Sequence, residues 1–233
     1  MIAKMKLVFI LGFVLVASAF AKGNECENEI SLCSPKYSSF LNDPFKNDLK
    51  NYTTQLVDKS FQFLILSSSF NQHSLDRPGF EKLYRKISDK AWEDAIELIK
   101  YQSRRGGFGH LVDQSVNKDY TKVLDTDELT SLKFALNYEK AMAKEAHAIH
   151  RKISHVHSKS NEDDDSRHYD PDTAHYLDEK IIEYQSGVIR DLAGYIHNLQ
   201  HFTKCDKRTD NSRPVKAHDL GVHVFDEYLA KVY

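Results

Sequence analysis

Four long amphipathic stretches, joined short–long–short, constrain this chain more than any other feature. Leu49, Leu56, Phe63 and Phe70 recur every seven residues, and Tyr52, Leu64 and Ser67 fill the same face, so residues 49–70 are expected to form one helix. A second helix is expected over 77–104, with Phe80, Leu83, Tyr84, Ile87, Ala91, Leu98 and Tyr101 on its apolar stripe. Pro78 suits its first turn, and Arg105-Gly106-Gly107 stops it. The third, over 125–157, aligns Leu132, Leu136, Glu139, Ala143, Ala146, His150 and Ile153. The fourth, over 171–203, aligns Leu177, Ile181, Gln185, Val188, Leu192, Tyr195 and Leu199. A shorter fifth, over 217–233, carries Leu220, Val224, Tyr228 and Leu229. The first and third connections (71–76 and 158–170) are short, and the middle one (105–124) is long. That pattern predicts an all-α four-helix bundle of two hairpins joined by one long crossover. A secreted helical signalling bundle is the competing architecture, but its up-up-down-down form needs two long crossovers.

The first residues set the compartment. Lys4 and Lys6 precede an apolar run from Leu7 to Ala17, and Ala19-Phe20-Ala21 has the small-residue pattern of a cleavage site. Residues 1–21 therefore read as a signal peptide, too short in their apolar part to span a bilayer. Residues 22–48 read as an N-terminal arm and 49–233 as the folded domain. In an oxidising compartment Cys26, Cys33 and Cys205 are candidates for disulfides, and their odd number leaves a free thiol or a bond between chains. Asn51-Tyr52-Thr53 is an N-glycosylation acceptor, or an unused one at a helix start. The formal net charge of -2 gives no basic excess for nucleic acid or an anionic membrane. The acidic run Glu162-Asp163-Asp164-Asp165 reads as a solvated loop that favours the dipole of the helix after it.

The segments EKLYRKISDKAWEDAIELIKYQSRRGGF (81–108), LKFALNYEKAMAKEAHAIHRKI (132–153), DPDTAHYLDEKIIEYQSGVIRDLAGYIHNL (170–199) and HVFDEYLAKVY (223–233) resemble the second to fifth helices of ferritins. Residues 51–80, with the Arg77-Pro78-Gly79-Phe80 entry to helix two, resemble the first helix and its turn. The resemblance covers nearly everything after residue 48. With the leader and N-terminal cysteines it is similar to the secreted ferritins of insects, which have heavy and light chain types. It implies a ferritin-like bundle with a short fifth C-terminal helix. It also implies a hollow cage of 24 chains around a ferric mineral, and co-assembly with a ferritin heavy chain in the secretory pathway, haemolymph or another extracellular fluid. No organic cofactor is implied.

The resemblance also locates the iron-oxidising positions of heavy chains. Their Glu and Tyr on helix one fall at Leu56 and Phe63, and their Glu and His on helix two at Ala91 and Asp94. Only their Glu on helix three and Gln on helix four survive, as Glu139 and Gln185. Two irons need several hard oxygen ligands and usually imidazole from all four helices, so this set is not expected to hold paired iron. Asp94, Glu139 and Gln185 are either a vestigial metal site or a polar cluster satisfied within the core. The expected role is thus that of a structural, iron-storing light chain rather than an enzyme, with a ferroxidase of rearranged site as the alternative. Light-chain mineral-seeding glutamates fall at Lys82, Arg85, Lys86 and Asp89, where only Asp89 keeps the charge. Heavy-chain pore carboxylates fall at His175 and Asp178, which either line an iron pore or are ordinary surface groups. His147 and His150 share a helix face, and His155 and His157 follow; a solvated helix end is the preferred reading there.

Overall fold

The computed structural model describes residues 45–105, 126–154, 170–204 and 215–233. The signal peptide, the three cysteines, the acidic run, His155, His157 and nearly all of the long crossover lie outside them. Among the described residues there are helices and no strands. They are α1 (Phe45–Phe70), α2 (Pro78–Arg104), α3 (Glu128–Ser154), α4 and α5 (Val215–Val232). α4 starts as Pro171–Leu177, passes through a π-helical turn at Asp178–Ile182 and continues over Glu183–Lys204. α1 starts four residues before the heptad pattern that announces it.

α1 packs along α2 and α3 along α4, α1 touches α3, and α5 lies against α2 and α4. This is the arrangement of a four-helix bundle with an added C-terminal helix. Two apolar clusters fill it. One holds Leu49, Tyr52, Leu56, Leu98, Met142, Ile149 and Leu177. The other holds Phe63, Phe70, Phe80, Tyr84, Leu132, Leu192 and Phe225. Between them, at mid-bundle, each of the four helices contributes a buried polar residue: Lys59, Asp94, Glu139 and Gln185.

The helix ends are fixed by specific contacts. Asp170 caps α4 by accepting the Thr173 N–H at 3.2 Å, ahead of Pro171. Arg105, at the end of α2, donates to Asp172 at 2.6 Å and to Asp170 at 2.5 Å, which ties the end of α2 to the start of α4. Tyr101 stacks on Tyr176 at 4.2 Å and donates to Asp172 at 2.7 Å beside that clamp. At the other end Arg77 pairs with Glu128 at 3.0 Å and ties the start of α2 to the start of α3. Arg77 gives α2 no side-chain cap. The buried Asp226 of α5 takes that role, accepting the Phe80 N–H at 3.0 Å.

α4 keeps its core face through the π turn: Leu177, Ile181 and Gln185, four and four apart, are all buried.

Candidate functional site

The mid-bundle belt is where the sequence put its metal question. Leu56, Phe63 and Ala91 are fully or almost fully buried, so three positions that would bring polar groups to an iron site instead supply hydrocarbon and an aromatic ring. Asp94, Glu139 and Gln185 are buried too, but each faces a different partner. Glu139 is inaccessible to solvent and its Oε1 lies 2.6 Å from the Lys59 ammonium, itself only 4% exposed. Asp94 pairs with Lys90 one turn earlier on α2. Gln185 donates its Nε2 proton to the Tyr52 hydroxyl at 2.9 Å.

Two lysines therefore stand where the sequence reading considered a cation. Lys59 reaches in from α1, between Leu56 and Phe63 on the same face. Lys90 lies 4.9 Å from the centre of the Tyr184 ring, a cation–π contact that holds it over the belt. Lys59 was missing from the sequence reading, although its position was legible: three residues after Leu56 and four before Phe63, it is a charge set in an apolar stripe.

The electrostatics match this geometry. Burial raises the Asp94 carboxyl above its ordinary value, and the charges of Lys90 and Lys59 oppose that rise. Burial also pushes the Tyr184 hydroxyl up to about 12, with Glu139 and Asp94 adding to the effect. Tyr52 is raised further by burial, against the hydrogen bond from Gln185. Two buried acceptors, Glu139 Oε2 and Gln185 Oε1, have no hydrogen-bond partner among the described residues. Among the described residues no three His, Cys, Asp or Glu side chains come together as a metal site.

The remaining expected positions lie on the surface. His175 and Asp178 are exposed at the start of α4, where the π turn begins. His175 faces Glu179 at 3.5 Å, and Asp178 meets His150 of α3 at 3.1 Å. Lys82, Arg85, Lys86 and Asp89 are exposed on α2 and border an open groove of about 440 Å³. Arg85 pairs with Asp89 at 3.0 Å, Lys82 donates to the Ala230 carbonyl, and Lys86 lies over the Tyr233 ring. Asn51 is exposed on α1. Thr53 of the same sequon is buried, its hydroxyl bonded to the Leu49 carbonyl and to Gln102. Trp92 is half-exposed and meets Phe61 edge-on at 6.4 Å.

No family model matches the chain. Individual proteins do. The sequence is 34% identical over 233 residues to a ferritin light chain of Drosophila melanogaster, covering 91% of this chain and 92% of that one. It is 29% identical over 247 residues to a ferritin light chain of Trichoplusia ni, covering 97% and 98%. The crystal structure of Trichoplusia ni secreted ferritin superposes with a TM-score of 0.63 at 32% identity, covering 81% of this chain and 82% of that one. With the helix order and the α5 docking described above, these full-length similarities make the chain a member of the ferritin family.

Proposed function

We propose that this chain is a structural, light-chain-type subunit of a secreted ferritin, which stores iron in a cage built together with a ferroxidase-active heavy chain. The observation that carries this reading is the Lys59–Glu139 ion pair. An ammonium 2.6 Å from the helix-three carboxylate satisfies the charge that an iron ion would otherwise meet. It also adds positive charge at the point where two Fe(II) ions would have to approach each other. With Leu56, Phe63 and Ala91 supplying no ligand, the belt stabilises a fold instead of holding a reacting metal pair.

In this reading iron is cargo. It is oxidised on the partner chain and deposited as ferric mineral in the lumen, while this chain contributes shell. Asp178 and His175 border a pore in that shell, and the cysteines link unlike chains. Non-reducing electrophoresis that yields only monomer would remove the link. The names of the similar light chains and of the secreted ferritin structure support the assignment of type and compartment.

The test is aerobic Fe(II) oxidation by the purified mature chain, compared with buffer and with particles co-assembled with a heavy chain. Oxidation at the buffer rate alone, and fast oxidation in the mixed particle, is the expected result. Saturable oxidation by this chain alone, abolished by Glu139→Ala, would establish the rearranged ferroxidase instead.

A further inference from the structure

We propose that the last turns of α4 carry a chelating site for a divalent late transition metal, Cu(II) or Zn(II), formed by His197 and His201. The site shares no residue with the mid-bundle belt and stands apart from the iron-storage reading. The two histidines are four residues apart, so they share one helix face. Their ring centroids lie 4.5 Å apart with the planes at 71°. Both side chains are exposed, and their described contact is with each other.

Three features favour a metal at this pair over an idle surface. Helical side chains lean toward the preceding turn, which brings His201 over His197 and His197 over Ala193 and Gly194. Those two residues are small, and a Cβ built on Gly194 would meet nothing within 4 Å. The turn beneath His197 therefore adds no bulky side chain to the face the pair shares. Second, α4 ends at Lys204, so His201 lies in its last turn, at the negative end of the helix dipole, where a cation is favoured. Third, two imidazoles at i and i+4 form the bidentate donor set used on helices for zinc, and nitrogen donors of this kind bind Cu(II) most tightly among the divalent first-row ions. A site with two protein ligands and open positions exchanges its ion, unlike a closed four-ligand structural site. Its task would be to pick up and release metal.

The experiment is a Cu(II) titration of mineral-free protein, followed by electron paramagnetic resonance, with Zn(II) as competitor. Wild-type protein is expected to bind about one Cu(II) per chain in its tightest class, with the signature of two nitrogen donors. His197→Ala and His201→Ala should each weaken that class by about tenfold or more, because the second donor no longer acts at high effective concentration. His147→Ala, on α3, should leave it unchanged. If the tightest class keeps its affinity and its two-nitrogen signature in both variants, the assignment is wrong. The same holds if His147→Ala abolishes it.

Discussion

Lys59 on α1 and Glu139 on α3 form an ion pair at 2.6 Å in the middle of the bundle, with neither side chain more than 4% exposed. The pair joins the two hairpins at the level where the apolar clusters part. Its cost and its value are both large, because each ion has left water and each is the other's main compensation.

Removing one partner should therefore cost much more than removing both. Lys59→Met leaves a buried carboxylate without its cation and should destabilise the chain by about 3–5 kcal/mol. The double variant Lys59→Met/Glu139→Leu should recover most of that, or exceed the wild type, because well-packed hydrocarbon replaces two desolvated charges. Thermal midpoints of the assembled particles would show it. A double variant no better than the worse single would mean that the belt stabilises the fold in some other way.

Asp226 gives a pH dependence with a defined sign. Burial raises its carboxyl, and the N–H groups of Phe80 and Gly79 pull it back only in part. A group raised in the folded state is protonated there more readily than in the unfolded chain. Its ionised form thus costs stability above the folded value, and that cost disappears as the pH drops below the unfolded value. Asp226→Asn retains an acceptor for Phe80 and removes the charge. Its stability relative to wild type should be most favourable near about pH 7 and should shrink toward about pH 4. A relative stability that improves on acidification would contradict the raised carboxyl.

Glycines on two helices should respond oppositely to the same substitution. A Cβ on Gly79 would lie 2.0 Å from the Asp226 carbonyl oxygen, a backbone atom that can yield only if α5 moves. Gly79→Ala should cost about 1–3 kcal/mol as overpacking and should speed amide exchange along Val215–Val232. A Cβ on Gly187 meets nothing within 4 Å. Gly187→Ala should be neutral or stabilise by about 0.5–1 kcal/mol through helix propensity. Equal exchange rates in α5 of wild type and Gly79→Ala would show that the close approach is not what docks this helix.

The bundle was legible because the four long helices carry apolar stripes at a spacing the fold uses directly. In α5, by contrast, the expected Leu220, Val224 and Tyr228 are exposed, and Val222 and Phe225 pack into the core beside Leu229 instead. Leu49, Leu56, Phe63 and Phe70 all lie in the core. The stripe also placed Asp94, Glu139 and Gln185 inside, since a polar residue at a core position is visible as a break in the pattern. What they contact was not legible. Pattern places a residue on a face but does not say which charge on another helix reaches it, so the Lys59 partnership with a residue 80 positions away required the fold. The cap from Asp226 was hidden for the same reason, since 146 residues separate it from Phe80. The π turn left no mark in the sequence, since the four-and-four spacing of Leu177, Ile181 and Gln185 is that of an ordinary amphipathic helix.

If the ion pair is what keeps iron out, restoring ligands alone should not create a ferroxidase. Leu56→Glu, Ala91→Glu and Asp94→His return three of the heavy-chain ligand types to this core, beside Glu139 and Gln185. With Lys59 still present, its ammonium should pair with the new carboxylates as it does with Glu139, and Fe(II) oxidation should stay at the buffer rate. Adding Lys59→Leu removes that internal cation and leaves the carboxylates to be balanced by metal. Oxidation should then rise above buffer and saturate with Fe(II). The comparison isolates one side chain within a common set of ligands. Activity in the triple variant that does not increase when Lys59 is removed would show that the lysine is a bystander, and that the missing ligands alone account for the lost chemistry.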